Sequence, residues 1–180
     1  KAEGEIKEFC QGAFGITYLA TDTNLHRPVA IKEFLPAALV TREQDLTVLP
    51  QSDDLQEEYD VGLRRFIAEA RTLAKFQHHN IVRVHNTFEA NRTAYMVMQY
   101  EEGEGLDRLL RARGTLTEEE ILQILHPLLD GLEVIHSQGF VHRDIKPANI
   151  FIRKDGSPVL LDFGSARQAT GDEARTLTNF

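Results

Sequence analysis

A chain of 180 residues with 42% hydrophobic content can bury one sizeable core or two small lobes, which excludes a disordered chain. Its formal charge of −8 argues against a reader of phosphate backbones, since duplex binding needs a basic stripe that releases counterions, so no nucleic-acid partner is expected. The one cysteine, Cys10, makes no internal disulfide, no run nears the ~20 apolar residues that cross a bilayer, and Lys1-Ala2-Glu3-Gly4 lacks the basic-then-apolar pattern of a leader; a cytoplasmic chain without a membrane span is expected.

In chain order, Ile6 to Phe9, Ile16 to Thr21 and Pro28 to Phe34 read as strands of an antiparallel meander, broken by Gly12, Gly15 and the polar Asp22-Thr23-Asn24 turn. Residues 36–54 carry Pro36 and Pro50 without a period and end in Ser52-Asp53-Asp54, a helix-start signal, so a capping loop is expected. From Leu55 to Phe76, Leu63, Phe66, Ile67, Ala70, Leu73 and Ala74 recur at threes and fours, which predicts a long amphipathic helix. His78-His79-Asn80 reads as a turn, because adjacent histidines point apart and no third ligand stands at a useful spacing. Two further strands, Ile81 to Phe88 and Ala94 to Gln99, lead into Glu101 to Gly105, a Glu- and Gly-rich connector.

Thr117-Glu118-Glu119-Glu120 is a capping box for a helix over Glu118 to His136, with Pro127 expected to remove an internal hydrogen bond and bend the axis. Its apolar face, with Ile121, Leu125, Leu128, Leu129 and Leu132, is expected to stand exposed and to serve association or a partner. The stretch from Phe140 to Phe163 alternates short apolar strands with charged loops.

The strongest signal is His142-Arg143-Asp144-Ile145-Lys146-Pro147-Ala148-Asn149 followed by Asp162-Phe163-Gly164, with the Asp155-Gly156 turn between two strands in the interval. This wording resembles the catalytic loop and metal-binding motif of eukaryotic-like Ser/Thr protein kinases, and Gly15-Ile16-Thr17-Tyr18 with Gly139-Phe140-Val141-His142-Arg143-Asp144 is similar to bacterial members. The likeness runs from Phe9 to Thr178 and implies an α+β, two-lobe kinase fold. Residues 1–100 would be an N-lobe with a five-stranded antiparallel sheet and one long helix, and residues 101–180 a partial helical C-lobe that stops in the activation segment. The protein would transfer the terminal phosphate of ATP, with Mg2+, to Ser or Thr hydroxyls of a protein substrate. The alternative is a pseudokinase-like or truncated module that binds nucleotide or protein without turnover. The missing C-lobe segment or another chain would cover the exposed helix.

By this resemblance Asp144 orients the substrate hydroxyl and accepts its proton, Lys146 reaches the transferred phosphate, and Asn149 and Asp162 give oxygen ligands to magnesium. His142 is expected to be structural, packed on Phe163 and bonded to backbone. Val29-Ala30-Ile31-Lys32 matches the strand whose lysine contacts the phosphates, with Ala30 against adenine. A lone strand lysine is usually just solvated; here Arg65-Phe66-Ile67-Ala68-Glu69-Ala70 supplies Glu69 as its ion-pair partner, in preference to Glu57 and Glu58.

The phosphate-covering loop Cys10-Gln11-Gly12-Ala13-Phe14-Gly15 has cysteine for the family's first glycine, yet Gly12, Ala13, Phe14 and Gly15 are assigned to nucleotide binding. Cys10 reads as small and inert rather than as a redox switch, and Thr17 replaces the usual valine beneath adenine. Met98 is placed at the gate behind adenine, with backbone groups of Gln99 and Glu101 reading the adenine edge; Asp107 serves either the ribose or a helix start. Arg143 before Asp144 marks a kinase ordered by activation-segment phosphorylation, for which Thr170, Thr176 and Thr178 are the candidates.

Overall fold

The computed structural model describes residues 7–12, 15–163 and 167–168, with side chains for residues 15–163. They form two compact units, one drawn from Lys1–Ala74 and Val84–Tyr100, the other from Lys75–Arg83 and Glu101–Phe180.

The first unit contains β1 (Lys7–Gly12), β2 (Gly15–Asp22), β3 (Arg27–Phe34), β4 (Val40–Arg42), β5 (Val48–Pro50), α1 (Gln56–Leu73), β6 (Val84–Ala90) and β7 (Thr93–Gln99). Its main sheet has the order β1-β2-β3-β7-β6 with every pair antiparallel, so β3 is central. The meander forms as the punctuation predicts: the Asp22 carboxylate accepts the amides of Asn24 and Leu25 and closes the β2–β3 turn.

Residues 36–54 are not a loop. They fold into the antiparallel hairpin β4–β5, with Val40 and Val48 buried, and into a one-turn 3-10 segment at Asp53–Leu55. Three-residue strands are too short to show a period, although the turn chemistry is local: the Asp45 carboxylate accepts the Thr47 amide, and Leu46 adopts φ 71°. Ser52 provides no side-chain cap.

Helix α1 buries Tyr59, Phe66, Ala70 and Leu73, spaced along one face, and packs on β7 and β6. It ends at Leu73, earlier than its pattern predicts. Ala74 is exposed, and Phe76 belongs to the second unit, where it meets Phe140 at 5.7 Å and Phe163 at 5.9 Å between ring centres.

The second unit contains β8 (Gly103–Gly105), α2 (Leu106–Arg113), α3 (Glu118–Ser137), β9 (Phe140–Val141), β10 (Ile150–Arg153), β11 (Pro158–Leu160) and β12 (Arg167–Gln168). β11, β10 and β8 form one small sheet, and β12 pairs with β9. The capping box of α3 is complete: the Glu120 amide donates to Thr117 Oγ1 at 3.3 Å and the Thr117 amide donates to Glu120 Oε2 at 2.8 Å. Pro127 lies inside the helix.

Ile121, Leu122, Leu125 and Leu129 are exposed on α3, but Leu128 is buried and Leu132 half-buried. Leu128 differs from the expectation because α3 packs on β11 and β9 and turns Leu128, Gly131 and Ile135 inward. His78-His79-Asn80 is followed by a short parallel pairing with β11: the Val82 amide donates to Leu160 O at 3.0 Å, and the Leu160 amide to Asn80 O at 2.8 Å.

Candidate active site

In the first unit, strand alternation places Ala30 and Lys32 on one face of β3. Lys32 Nζ lies 3.7 Å from Glu69 Oε1 and 6.0 Å from the centre of the Phe66 ring, which makes an ion pair longer than a hydrogen bond. Glu69 precedes the fully buried Ala70, and its side chain is only 9% exposed. Glu57 and Glu58 fall in the first turn of α1 and are exposed.

Ala30 pairs across the sheet with Met98, and Lys32 with Thr17 on one side and Met96 on the other. Gly12 pairs with Gly15; Ala13 and Phe14, the tip of the expected phosphate loop, lie outside the described residues. The register shifts between Glu8 and Cys10, where the family's first glycine is replaced. Gly15 has a packing reason to be glycine, since a Cβ there would stand 1.9 Å from the Glu33 carbonyl oxygen.

In the second unit, the segment after β9 brings Asp144, Lys146 and Asn149 together. Lys146 Nζ donates to Asp144 Oδ2 at 2.7 Å, and Asn149 Nδ2 donates to the same oxygen and to the Asp144 carbonyl, each at 2.9 Å. A one-turn 3-10 segment at Pro147–Asn149 supplies the local bend, with the Asn149 amide returning to Lys146 O. The Lys146 ammonium holds the Asp144 carboxyl below the usual carboxylate range, aided by Asn149.

His142 is 1% exposed, stands edge-on to Phe163 with ring centres 4.6 Å apart, and places Nε2 3.4 Å from Leu161 O. Its Nδ1 accepts the Asp144 amide at 3.3 Å, so the proton belongs on Nε2 and points at Leu161 O. Burial lowers its pKa and keeps the ring neutral, which suits a scaffold for the Asp144 backbone. Arg143 (φ 65°) and Asp162 (φ 24°) both hold positive φ, so among the described residues of this unit the non-glycine strain falls beside Asp144 and at Asp162.

Glu101 has a partner that sequence reasoning missed. Arg153, on β10, donates Nε to Glu101 Oε2 at 2.7 Å and a terminal nitrogen to Oε1 at 2.9 Å, and further bonds reach His79 O and Ser157 Oγ. The β8–β10 pairing brings these residues together, with Arg153 opposite Gly103, and no local pattern announces a pair so distant in sequence. Asp107, in the first turn of α2, is bonded to Arg111. Gly164, Thr170, Thr176 and Thr178 lie outside the described residues.

A family profile described as the protein kinase domain matches residues 5–180. The chain belongs to the protein kinase family. It is 35% identical over 171 residues to the serine/threonine-protein kinase PknA of Nostoc sp. strain PCC 7120, covering 92% of this chain and 28% of that protein. It is 33% identical to the probable kinase PknB of Bifidobacterium longum, covering 93% and 23%, and 34% identical to PknL of Mycobacterium bovis, covering 89% and 36%. The chain thus spans about a quarter to a third of these curated relatives. Among solved structures it matches "PpkA-294 apo form" with a TM-score of 0.88 and 40% identity, over 92% of this chain and 59% of that one. The fold is therefore the α+β protein kinase fold with a partial C-lobe.

Protein kinases use ATP with Mg2+, and the donor chemistry here fits that metal. Asp144 O and Oδ2 can only accept, which fixes the Asn149 amide with nitrogen toward Asp144 and leaves Oδ1 as the atom that would face a metal. The Asp162 carboxylate, in the same unit, is a second hard-oxygen donor. Two such protein donors would leave the remaining positions of a six-coordinate magnesium to phosphate and water.

Proposed function

We propose that this chain is the ATP-binding and catalytic part of a Ser/Thr protein kinase, and that it transfers the terminal phosphate of ATP to Ser or Thr hydroxyls of a protein substrate. The observation that carries the reading is the single Asp144 oxygen held at once by the Lys146 ammonium and the Asn149 amide. That arrangement leaves an ionised carboxylate oriented to accept a hydrogen bond from an incoming hydroxyl, beside a cation suited to the phosphate it attacks.

In this mechanism the hydroxyl oxygen forms the new bond to phosphorus as the bond to the ADP oxygen breaks, and the hydroxyl proton passes to Asp144. A carboxylate of lowered pKa is a weak base, so Asp144 orients the hydroxyl first and takes the proton late, once bonding to phosphorus has made it acidic. Lys146 holds Asp144 in place and contacts the transferred group. Lys32, aimed by Glu69, binds the phosphates of the same ATP that Asn149 and Asp162 address through magnesium, which would neutralise phosphate charge.

Gly12, Ala13, Phe14 and Gly15 cover the phosphates, Ala30 and Met98 flank the adenine, and the backbone of Gln99 and Glu101 reads its edge; the pairing of Ala30 with Met98 supports the adenine assignment. Phosphorylation in the activation segment and a cytoplasmic location complete the proposal; among the described residues no helix is long and apolar enough to cross a membrane. The exposed row Ile121, Leu122, Leu125 and Leu129 supports cover of α3 by a further C-lobe segment or another chain.

The test is incubation with labelled ATP, Mg2+ and a Ser- and Thr-rich protein, alongside the Asp144→Asn variant. Label on Ser or Thr in the unmodified protein alone is the expected result. Nucleotide binding without label in either protein would instead mark a binding module.

The lowered Asp144 pKa gives a separate expectation. The 13C carboxyl signal of Asp144 should titrate below the ordinary aspartate range, and Lys146→Met should move that midpoint up toward it, because the largest cause of the lowering is gone. The ionised, competent form is thus lost at higher pH in the variant. A midpoint that stays put in Lys146→Met would contradict the Lys146–Asp144 contact.

A further inference from the structure

We propose that the β4–β5 hairpin is a positioning element for the Lys32–Glu69 pair, acting through Arg42 and Tyr59. The inference rests on the reading of that pair as phosphate-binding machinery, and it begins with a buried carboxylate that this reading does not use. Glu33 follows Lys32 on β3 and is 1% exposed. Its carboxylate accepts three donors from three strands: Arg42 of β4 at 2.5 Å, the Tyr18 hydroxyl of β2 at 2.8 Å and the Tyr95 hydroxyl of β7 at 2.7 Å. Successive residues of a strand face opposite ways, so Arg42 clamps the back of the same two-residue step whose front presents Lys32.

The second anchor of the hairpin leads to α1. The Val48 amide donates to Asn91 O at 2.9 Å, in the two-residue turn between β6 and β7, where Asn91 and Arg92 hold φ 51° and 57°. Neither residue is glycine, and the next carbonyl in that turn, Arg92 O, accepts the Tyr59 hydroxyl of α1 at 2.8 Å. The Tyr59 ring stacks on Phe34 at 5.5 Å, and Phe34 also meets Phe66 at 5.6 Å, the ring beside Lys32 Nζ.

There is little slack along this path, since a Cβ on Gly62 would stand 2.7 Å from the Phe34 ring. The pair it governs sits at 3.7 Å, so a shift of α1 by a fraction of an ångström either engages it as a hydrogen bond or separates it. The hairpin therefore grips β3 behind Lys32 and, through the Asn91–Arg92 turn, the helix that carries Glu69.

A double-mutant cycle on the Mg·ATP-dependent transfer rate, in the intact protein that carries this chain, separates positioning from simple stabilisation. Arg42→Met is expected to lower the rate about tenfold, and Arg42→Met with Glu69→Gln to cost no more than Glu69→Gln alone, since both act through one contact. Tyr59→Phe keeps the ring on Phe34 and removes only the bond to Arg92 O, so it carries the test if Arg42→Met does not fold; about a threefold loss is expected, again non-additive with Glu69→Gln. Rate effects that simply multiply with that of Glu69→Gln overturn the proposal, even if the variants melt earlier. A Glu69→Gln variant of unchanged rate overturns the reading of the pair itself and the hairpin's role with it, so the single variant tells the two failures apart.

Discussion

Asp144→Asn should lower phosphoryl transfer by about 10³-fold while changing ATP affinity only slightly. The substitution is nearly isosteric and the loop around it is over-determined: Asn149 Nδ2 still has the residue 144 carbonyl, and the buried His142 ring still accepts the residue 144 amide. What disappears is the negative charge that Lys146 faces and the only atom assigned to receive the hydroxyl proton. Single-turnover transfer from labelled ATP, with nucleotide binding measured on the same samples, checks both halves. A rate within tenfold of the unmodified protein would remove Asp144 from the chemistry, and loss of nucleotide binding would make it a structural residue.

Arg153→Met should be the most damaging of the substitutions remote from Asp144. The Arg153 and Glu101 side chains are 11% and 12% exposed, and the guanidinium meets both carboxylate oxygens while also bonding His79 O and Ser157 Oγ. Removing one partner of a largely buried pair strands the other charge away from water, which costs about 3–5 kcal/mol. For a chain of this size that corresponds to a thermal midpoint lower by about 10 °C. Adding Glu101→Met should recover most of the loss, because the stranded carboxylate is then gone. A single variant that melts within a degree or two of the unmodified protein would contradict the assigned burial.

Much of the fold was legible because local patterns and tertiary structure agree. The glycine-broken strands, the heptad-like face of α1 and the Thr117–Glu120 box each have causes within a few residues. The departures have other causes. Hairpin β4–β5 is too short for a period, Phe76 is taken from the helical pattern by Phe140 and Phe163, and Leu128 is turned inward where α3 meets β11. The hairpin is local but carries too few residues for a pattern; at Phe76 and Leu128, contacts distant in sequence override a local signal.

The site divides in the same way. Lys32, Asp144, Lys146, Asn149 and Asp162 stand out by motif wording, since a fixed chemistry demands particular residue types at fixed spacing. Their supports do not. Glu33 reads from sequence as an ordinary strand charge, and its partners Tyr18, Arg42 and Tyr95 come from three other strands. Arg153 looks like a solvated residue before a turn until β10 pairs with β8 and brings it to Glu101. Gly15 reads as part of a phosphate motif, yet its closest constraint is the Glu33 carbonyl.

The measurement that bears most directly on the whole account is paramagnetic broadening by Mn2+, replacing Mg2+ in the ATP complex and read at the Asn149 side-chain amide and the Lys32 ε-methylene. Both signals should broaden when Mn2+ and ATP are present together, and neither with the metal alone at the same low concentration. Broadening at Asn149 with a sharp Lys32 signal would mean that the two units do not serve one nucleotide, and the kinase mechanism proposed for this chain would be wrong.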